Sequence, residues 1–539
     1  MSGRNTPMRK SFAHLQNAAF VLVLSFAPPL AAQTTLYSFR GNAAFDRFGH
    51  DVSGAGDVNA DGYDDIIVGA VFGHLGAAAR GSASVLSGSN GAELYRFYGN
   101  SGQDYFGWSV SGAGDVDADG HDDVIVGAPG DAPNGAQSGS ARVFSGYDGS
   151  VLYTFLGGHV GDFLGGAVAG AGDVNRDGHD DFLVGAQHDA SNGSSAGTAW
   201  LYSGRDGSII HRFVGEAAFE YLGSSVASAG DVDADGTLDI IVGAYAADFG
   251  GIEVGAAKVY SGRTGGILYR FFGTTEWGRY GKSVDGAGDV NADGFADLIV
   301  GHPDRGPGDV GGVDVFSGKE GELLYTYTGE SPFDSMGWAV SGAGDVDQDG
   351  FDDFMFGVHD DEVDGLVDAG TARLHSGRNG ARLYLFEGHI WGGYFGVSVC
   401  GAGDVNGDGF PDVVVGQDCD DFNGDCSGSA YVYSPKVLLP PSPGIANAVN
   451  DFVLHGGSPG AWIRFVYGFQ EGITGVPGCP GLEVLIASPK VAGTAQADAS
   501  GVATLSRLVP AGASGRTVLL QAVEGGNCTV SNRVSCTFP

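Results

Sequence analysis

An acidic stretch recurs along the chain, and its side-chain oxygens have the type and spacing of metal ligands. The first copy, AGDVNADGYDD at 55–65, places Asp or Asn at positions 1, 3, 5 and 9 of a loop that starts at Asp57. Alternate residues of a tight loop can direct several oxygens at one centre, and the glycine after position 5 permits a sharp turn. Without a counterion, carboxylates a few ångströms apart repel each other by about 1 kcal/mol per pair even in water. The pattern therefore predicts a bound hard cation, and Ca²⁺ suits a flexible cage of carboxylate and carbonyl oxygens better than Mg²⁺.

Seven copies of the loop are complete at these four positions, which predicts up to seven Ca²⁺ sites. Position 7 varies in type, as expected if only its backbone carbonyl is a ligand. The candidate ligands are Asp57, Asn59, Asp61, Tyr63, Asp65, Asp115, Asp117, Asp119, His121, Asp123, Asp173, Asn175, Asp177, His179, Asp181, Asp231, Asp233, Asp235, Thr237, Asp239, Asp289, Asn291, Asp293, Phe295, Asp297, Asp345, Asp347, Asp349, Phe351, Asp353, Asp404, Asn406, Asp408, Phe410 and Asp412.

An EF-hand and a simple Asx turn are the two other interpretations of the loop. An EF-hand needs flanking helices and a glutamate at position 12, where the first loop has Val68 inside an apolar, strand-like run. Asx turns at hairpin tips would explain one such loop. Seven complete copies hold far more acidic residues than turns require, so cation binding is the favoured interpretation.

The elements that carry these loops are short strands. The leading aspartates lie 56 to 59 residues apart. Each unit contains four strand-like segments, as in FGWSVSGAG (106–114), DVIVGA (123–128), GSARVFSG (139–146) and VLYTFLG (151–157). No segment has the roughly 10–15 residues of 3.6-residue periodicity that indicate a helix. Four strands in each of seven units predict an all-β protein, a seven-bladed β-propeller. A sandwich array would need more strands per unit, and a parallel β-helix would need much shorter turns.

The outer-strand motif suggests how the ring closes. It occurs as LYSF at 36–39, before the first acidic loop, and no clear copy follows SAYVYS at 429–434. We therefore predict that the N-terminal strand completes the seventh blade. Closure of this kind removes the exposed strand edges of an open array.

The unit resembles the FG-GAP repeat of integrin α-subunit propellers and of secreted bacterial relatives. The Phe-Gly element is present at 48–49, 106–107 and 395–396, drifts to Leu-Gly, Tyr-Gly or Met-Gly elsewhere, and the Gly-Ala-Pro element is literal at 127–129. The resemblance covers about residues 34–435. It implies a seven-bladed propeller with Ca²⁺ between the first two strands of a blade, and roles in adhesion or extracellular binding. Integrin propellers carry such loops in only some blades, whereas every unit qualifies here.

Composition predicts four segments: a signal peptide at 1–32, the propeller at 33–435, a linker at 436–443 and a small β-sandwich-like domain at 444–539. The first segment has basic residues followed by an apolar run that ends in Leu30-Ala31-Ala32, which is typical of a secretory signal peptide. We expect a secreted or cell-surface protein with no membrane span in the mature chain.

Charge and cysteine content narrow the class of partner. Lys and Arg number 27 against 65 Asp and Glu, a net charge of −38, which argues against nucleic acid or an anionic membrane as partner. Six cysteines allow fifteen pairings. Cys419 and Cys426 bracket one acidic loop and are the first candidate pair, with Cys528 and Cys536 as the second.

A propeller places its A–B and C–D turns on one face and its B–C and D–A turns on the other. Because the acidic loops occupy the first face, we expect a protein or glycan to bind the second, where aromatic residues recur at Tyr105, Phe163, Tyr221, Trp277, Phe333, Trp391 and Tyr394. Packing between neighbouring blades is the alternative role for each of them. No nucleophile elbow, zinc-protease motif or phosphate loop is present, so we predict a non-enzymatic binding scaffold. A polysaccharide-acting lyase or hydrolase and a structural cell-surface component are the alternatives.

Overall fold

The computed structural model describes residues 33–538 apart from 76–77, 249–251, 305, 307, 436–447, 458–459, 477–482, 499–501, 511–512, 515, 525–528 and 532–533. The predicted signal peptide (1–32) and linker (436–443) lie outside the described residues, as do Cys479 and Cys528.

Seven antiparallel four-stranded sheets follow one another along residues 33–435. We number the sheets 1 to 7 in chain order and label the strands of each A to D from the inside outwards. In sheets 1 to 7 the A strands are Phe48–Gly56, Val110–Gly114, Ala167–Gly172, Ser225–Gly230, Ser283–Gly288, Val340–Gly344 and Phe395–Gly403. The B strands, in the same order, are Asp65–Ala70, Asp123–Ala128, Asp181–Ala186, Asp239–Ala244, Asp297–Gly301, Asp353–Val358 and Asp412–Gln417. In sheets 1 to 6 the C strands are Ser82–Leu86, Ser140–Phe144, Thr198–Tyr202, Ala256–Tyr260, Gly312–Phe316 and Thr371–His375. The D strands, in the same order, are Glu93–Tyr98, Val151–Leu156, Ile209–Val214, Ile267–Phe272, Leu323–Thr328 and Arg382–Glu387. A two-stranded ribbon, His74–Leu75 with Ala78–Ala79, lies in the B–C loop of sheet 1.

Sheet 7 takes its outer strand from the start of the described chain. Strand C of this sheet is Ser429–Pro435, and Gln33–Arg40 pairs with it in antiparallel register, with Tyr37 opposite Val432. The prediction that an N-terminal strand closes the ring is therefore confirmed.

The hydrophobic core lies between consecutive sheets. Every residue of the B strands is buried, because a neighbouring sheet covers each face, and the sequence of these strands is accordingly a continuous apolar run. Sheets 1 and 2 share one apolar cluster that includes Ile67 and Val124. Sheets 7 and 1 share another that includes Val414 and Val68. Five further clusters join the sheets between them, so the sheets form a closed β-propeller, and the all-β prediction is confirmed.

The two faces of the propeller differ in their connections. The Gly88 N–H of a C–D turn donates to Asp65 Oδ1 in the A–B loop region of the same sheet, so these connections share a face, which we call the acidic face. On the other side, the Phe333 N–H of a D–A turn donates to the Gly308 carbonyl of a B–C loop. We call this side the aromatic face.

The strands after residue 448 are also antiparallel. They are Val449–Leu454, Trp462–Gly468, Glu471–Gly475, Glu483–Ile486, Lys490–Gln496, Ala503–Leu508, Thr517–Glu524, Thr529–Val530 and Val534–Thr537. Phe452, Phe465 and Leu520 belong to one apolar cluster of this region. Within the described part of the chain, no helix is both long and apolar enough to cross a membrane.

Candidate metal centres

Each acidic loop is shaped by the carboxylate at position 1. In loop 1, Asp57 accepts hydrogen bonds from the backbone N–H groups of Asp61 (2.9 Å) and Gly62 (2.8 Å). The same pair of bonds occurs at Asp115, Asp173, Asp289, Asp345 and Asp404. The loop backbone therefore curls around the first carboxylate. In loop 4, Asp231 accepts the Gly236 N–H, while the Asp235 N–H donates to Asp233.

The carboxylate at position 9 is held at the start of strand B. All seven of these aspartates are fully buried. In loop 2, the oxygens of Asp123 accept the N–H groups of Gly146 (2.8 Å) and Val116 (2.9 Å). Two N–H donors orient this side chain, so the carboxylate at position 9 is held in place without a bound ion.

In three loops the structure brings positions 1, 3 and 9 together. One oxygen from each residue lies within 4.8 Å of the others in the groups Asp115–Asp117–Asp123, Asp231–Asp233–Asp239 and Asp345–Asp347–Asp353. The other four loops have an asparagine at position 3, namely Asn59, Asn175, Asn291 and Asn406. The carboxylate at position 5 lies outside these groups and accepts the N–H of position 7, as Asp119 does from His121 at 3.0 Å.

Several loop oxygens are buried without a hydrogen-bond donor among the described residues. They are Asp231 Oδ1, Asp347 Oδ1, Asp349 Oδ1, Asn406 Oδ1 and Asp408 Oδ2. A buried acceptor left unpaired costs free energy comparable to a lost hydrogen bond. The donor set is entirely oxygen, and it fits a hard cation that would supply the missing interaction.

Burial and mutual repulsion disfavour the charged form of these groups. Burial, with a smaller effect of the neighbouring Asp117 and Asp115, raises the pKa of Asp123 to about 7 in spite of the hydrogen bonds that lower it. Burial likewise raises the pKa of Asp347 to about 6, with Asp349 and Asp345 adding to the effect. A divalent cation would reverse this balance, because an opposite charge within a few ångströms favours the ionised carboxylate.

The side chains at position 7 reach the preceding loop. Nδ1 of His121 contacts the Val58 carbonyl at 2.9 Å, and Nδ1 of His179 contacts the Val116 carbonyl at 2.9 Å. These imidazoles therefore lie between loops. Within its own loop, position 7 can contribute only its backbone carbonyl to a metal site.

Position 8 links consecutive loops, a role that the sequence pattern did not reveal. The Asp57 N–H of loop 1 donates to Asp122 of loop 2 at 2.8 Å, and Asp64, Asp180 and Asp352 accept the equivalent bond from their neighbours. Gly56 has φ 70°, and a Cβ there would lie 2.1 Å from Asp122 Oδ2. Gly56, Gly114, Gly288 and Gly403, which precede the loops with this bond, are therefore favoured by the close approach of the carboxylate as well as by their backbone angle.

The seven aromatic residues predicted to contact a partner divide into two groups on the aromatic face. Tyr105, Phe163, Tyr221 and Tyr394 are half-buried and pack against side chains of adjacent loops, with ring centroids 4.8–6.0 Å apart in the pairs Phe72–Tyr105, Phe163–His188, Tyr221–Tyr245 and His359–Tyr394. Trp277, Phe333 and Trp391 are 55%, 66% and 70% exposed.

Further exposed apolar side chains lie in the same D–A turns. We call Phe45, Val160, Phe219, Trp277, Phe333 and Trp391 the rim residues; all six are exposed. Phe45, Phe219 and Trp277 donate their N–H groups to carbonyls of the adjacent B–C loop at 2.7–3.1 Å. Phe45 and Phe219 were not among the predicted partner-binding residues, although both occupy the same place in their D–A turns as Trp277.

The B–C loop of sheet 7 carries a disulfide between Cys419 and Cys426. Among the described cysteines, Cys400 and Cys536 form no disulfide, and Cys528, the predicted partner of Cys536, lies outside the described residues. The loop faces the rim, because Phe45 donates its N–H to the Asp425 carbonyl.

The repeats are similar to a known repeat family and to integrin α-subunits. The FG-GAP repeat model matches residues 106–144, 165–202 and 222–263. Integrin alpha-5 of Xenopus laevis is 34% identical over 215 residues, 36% of this chain and 20% of the relative. Integrin alpha-V of Gallus gallus is 34% identical over 220 residues, 37% and 20% of the two chains. Integrin alpha-IIb of Homo sapiens is 33% identical over 165 residues, 28% and 16%. The chain thus spans a fifth or less of the length of these relatives.

Proposed function

Because the chain belongs to the FG-GAP β-propeller family, with repeats related to those of integrin α-subunits, we propose that it is an extracellular binding scaffold braced by calcium ions. The observation that carries this proposal is the separation of two surfaces. The acidic loops share one face, while the rim residues lie on the other. Exposed aromatic side chains on one face offer large contact areas to a partner.

In this proposal each of the seven loops binds one Ca²⁺ ion. The ligands are the side-chain oxygens of positions 1, 3, 5 and 9 and the carbonyl of position 7. The three acid groups and the unpaired loop oxygens support it. The ion would neutralise carboxylates that repel each other and would hold the end of strand A against the start of strand B.

Secretion fits the proposal in two ways. The first 32 residues have the pattern of a signal peptide. The disulfide between Cys419 and Cys426 is of a kind that persists in oxidising compartments. Residues 33–435 would then be the propeller, and 444–539 a separate β-sandwich-like domain.

The aromatic face is the proposed site for an extracellular protein or glycan. Aromatic side chains contribute large contact areas and are enriched among the residues that dominate binding energy. The B–C loops hold the rim turns by backbone hydrogen bonds, so the exposed rings are presented on a braced surface.

The cation part of the proposal is tested by unfolding the purified protein in EDTA and in excess Ca²⁺. We expect Ca²⁺ to raise Tm by 10 °C or more and calorimetric titration to give several sites per chain, because a ligand that binds only the folded state stabilises it. A Tm that does not differ between EDTA and Ca²⁺ would contradict the proposal.

The partner part is tested on arrays of extracellular proteins and glycans. The triple variant Trp277→Ala/Phe333→Ala/Trp391→Ala should lose most binding to any partner found with the unmodified protein. The matched control is Val151→Ala/Ile209→Ala/Leu323→Ala, which removes exposed apolar groups from the D strands. Equal binding by both triple variants would exclude the aromatic face as the site.

A further inference from the structure

A cavity of about 670 Å³ lies inside the ring, where the seven A strands begin. This end of the A strands belongs to the aromatic face, since strand A follows the D–A turn. The residue after each Phe-Gly element lines the cavity at its opening or close to it: His50, Trp108, Gly166, Ser224, Lys282, Trp338 and Val397. Ligand pockets commonly have volumes of about 300–1,000 Å³, so the cavity has room for one or two sugar rings. The acidic loops are at the opposite end of the same strands.

Two tryptophans form apolar parts of the cavity wall. Trp108 is 42% exposed, and its ring lies 4.9 Å from that of His50. Trp338 is half-buried, and its ring lies 4.6 Å from that of His359. Indole faces of this kind pack against the apolar C–H face of a pyranose while leaving its hydroxyl groups free for hydrogen bonds.

Polar atoms at the same opening lack partners. Nδ1 of His359 and Oδ1 of Asp418 are buried and make no hydrogen bond to any described residue, whereas Nδ1 of His50 lies 3.6 Å from Oδ2 of Asp418. All three residues line the cavity. Buried polar groups are almost always paired. Two unpaired atoms around one cavity indicate a polar ligand or the water that it displaces.

Lys282 is the cavity cation without a carboxylate partner among the described residues. Its Nζ lies over Trp338 (5.1 Å) and Tyr245 (5.8 Å). The nearby Asp304 is paired with Arg279 at 2.9 Å. Burial lowers the pKa of Lys282, and Arg279 lowers it further against the opposing effect of Asp304, so an anion beside the ammonium would be favourable.

Other charged groups around the cavity have ion-pair or hydrogen-bond partners. Arg47 pairs with Asp418 at 3.3 Å. Asp51 accepts the Val110 N–H (2.8 Å) and the Ser398 hydroxyl (2.9 Å).

The second cavity carboxyl group, Asp285, accepts the Gly342 N–H at 3.3 Å. Burial raises the pKa of Asp51, and that of Asp285 to about 7, so both carry less negative charge than ordinary aspartates.

We propose that the cavity binds an acidic sugar residue of a carbohydrate chain, with the sugar ring on Trp338 and its carboxylate on the ammonium of Lys282. The buried, unpaired atoms of His359 and Asp418 then bind the sugar hydroxyl groups. This inference rests on the proposed function, because it takes the aromatic face as the binding face, and it names the ligand class.

Calorimetric titration with defined disaccharides tests the site in 1 mM Ca²⁺ and 150 mM NaCl. The probes are digalacturonate, dimannuronate and diglucuronate, each with its uncharged counterpart: galactobiose, mannobiose and cellobiose or gentiobiose. At least one acidic disaccharide should bind tenfold or more tightly than its neutral partner. Lys282→Met should abolish that difference, and Lys282→Arg should retain most of it. Trp338→Ala should weaken the acidic and neutral forms together.

The matched control is Lys319→Met, which removes an exposed lysine from the acidic face and should leave binding unchanged. Three results would overturn the inference: no binding of any acidic disaccharide, equal binding by Lys282→Met and the unmodified protein, or equal loss in Lys319→Met. The proposed function fails separately, when the rim triple variant and its control bind array partners alike. A fold check by Tm in Ca²⁺ accompanies each variant.

Discussion

The aspartate at position 9 is both a buried hydrogen-bond acceptor of the fold and a candidate metal ligand. It is the first residue of strand B and is fully buried, and its oxygens accept backbone N–H groups from its own loop and from a C–D turn. Its charge is nevertheless disfavoured without a cation, because burial and, to a smaller extent, the neighbouring carboxylates raise its pKa, as at Asp123. The burial and close spacing that destabilise these carboxylates without a cation are also what would make them good ligands for one.

Substitution at this position should therefore cost much more stability with Ca²⁺ than without it. In EDTA, Asp123→Asn should change Tm little, because removal of a disfavoured buried charge offsets the loss of one acceptor. The amide oxygen can accept from the Gly146 N–H, but the amide NH₂ cannot accept from the Val116 N–H. In Ca²⁺ the variant should fall below the unmodified protein and bind one ion fewer per chain. Asp148→Asn, in an exposed turn of the same sheet, should change neither value. A variant that is less stable in EDTA and keeps every ion would contradict this account.

Asp285 gives a pH dependence that is separate from the loops. Burial raises its pKa to about 7, against roughly 3.9 in an unfolded chain. The carboxyl group is protonated in both states below pH 4, so it costs nothing there. As pH rises from 4 to 7 the unfolded state ionises first, and the folded state loses stability.

Asp285→Asn should remove that loss. We expect its free energy of unfolding to rise relative to the unmodified protein between pH 5 and pH 8, both measured by urea titration in Ca²⁺. Asp206→Asn is the control, because hydrogen bonds from Ser208 lower the pKa of this exposed group. A difference between Asp285→Asn and the unmodified protein that is independent of pH would show that the carboxyl group titrates normally.

At the scale of the loop and strand, consecutive units are joined by small polar contacts that vary around the ring. Where position 8 is aspartate, it accepts the first N–H of the preceding loop. Loops 4 and 7 have Leu238 and Pro411 at this position. There the preceding loop supplies a longer side chain at position 4: Arg176 reaches the Asp235 carbonyl at 3.5 Å, and Gln348 reaches the Gly409 carbonyl at 2.9 Å.

These contacts also mark the limit of sequence interpretation. Positions 1, 3, 5 and 9 were recognisable because their spacing lies within one loop. Position 8 acts on the preceding unit, as Asp122 does on Asp57, 65 residues earlier in sequence. Its variation therefore shows no pattern within a single loop. The Phe-Gly element drifts for a simpler reason. The first residue only fills a buried site, which Leu222 and Met336 also fill, whereas the glycine has a positive φ in every copy.

Loop 5 lacks both kinds of contact. It has Ala296 at position 8, whose N–H bonds the Asp231 carbonyl at 3.1 Å, and the preceding loop has Ala234 at position 4. Ala296→Asp should therefore add the missing acceptor and raise stability in Ca²⁺ by about 0.5–1.5 kcal/mol.

The reciprocal change, Asp122→Ala, removes an existing acceptor and should cost about 1–3 kcal/mol. Chemical unfolding in Ca²⁺ measures both variants. If Ala296→Asp destabilised the protein as much as Asp122→Ala, position 8 would not be a general link between loops.

At the scale of the whole molecule, the outer strands form a second series of links around the ring. The Tyr37 hydroxyl on the outer strand of sheet 7 donates to the Gly88 carbonyl of sheet 1 at 2.7 Å. Equivalent bonds run from Tyr95, Tyr153 and Tyr325 to the next sheet, and His211 makes the matching contact with Gly262. The tyrosine of the LYxF motif is therefore an inter-sheet contact, and the N-terminal strand carries it across the junction between the two ends of the ring.

Loss of that strand should therefore affect the whole ring. Deleting residues 1–40 removes the partner of Ser429–Pro435 and the Tyr37 bond, and it exposes a strand edge that can pair with other copies. We expect Tm to fall by more than 10 °C in Ca²⁺ and size-exclusion chromatography to show association. Deleting residues 1–32 is the control, because it leaves Gln33–Arg40 in place, and this variant should keep the Tm and elution volume of the unmodified protein. If the two deletions had the same Tm and the same elution volume, the remaining sheets would hold the ring without closure, and the contacts between strands A and B would be its main source of stability.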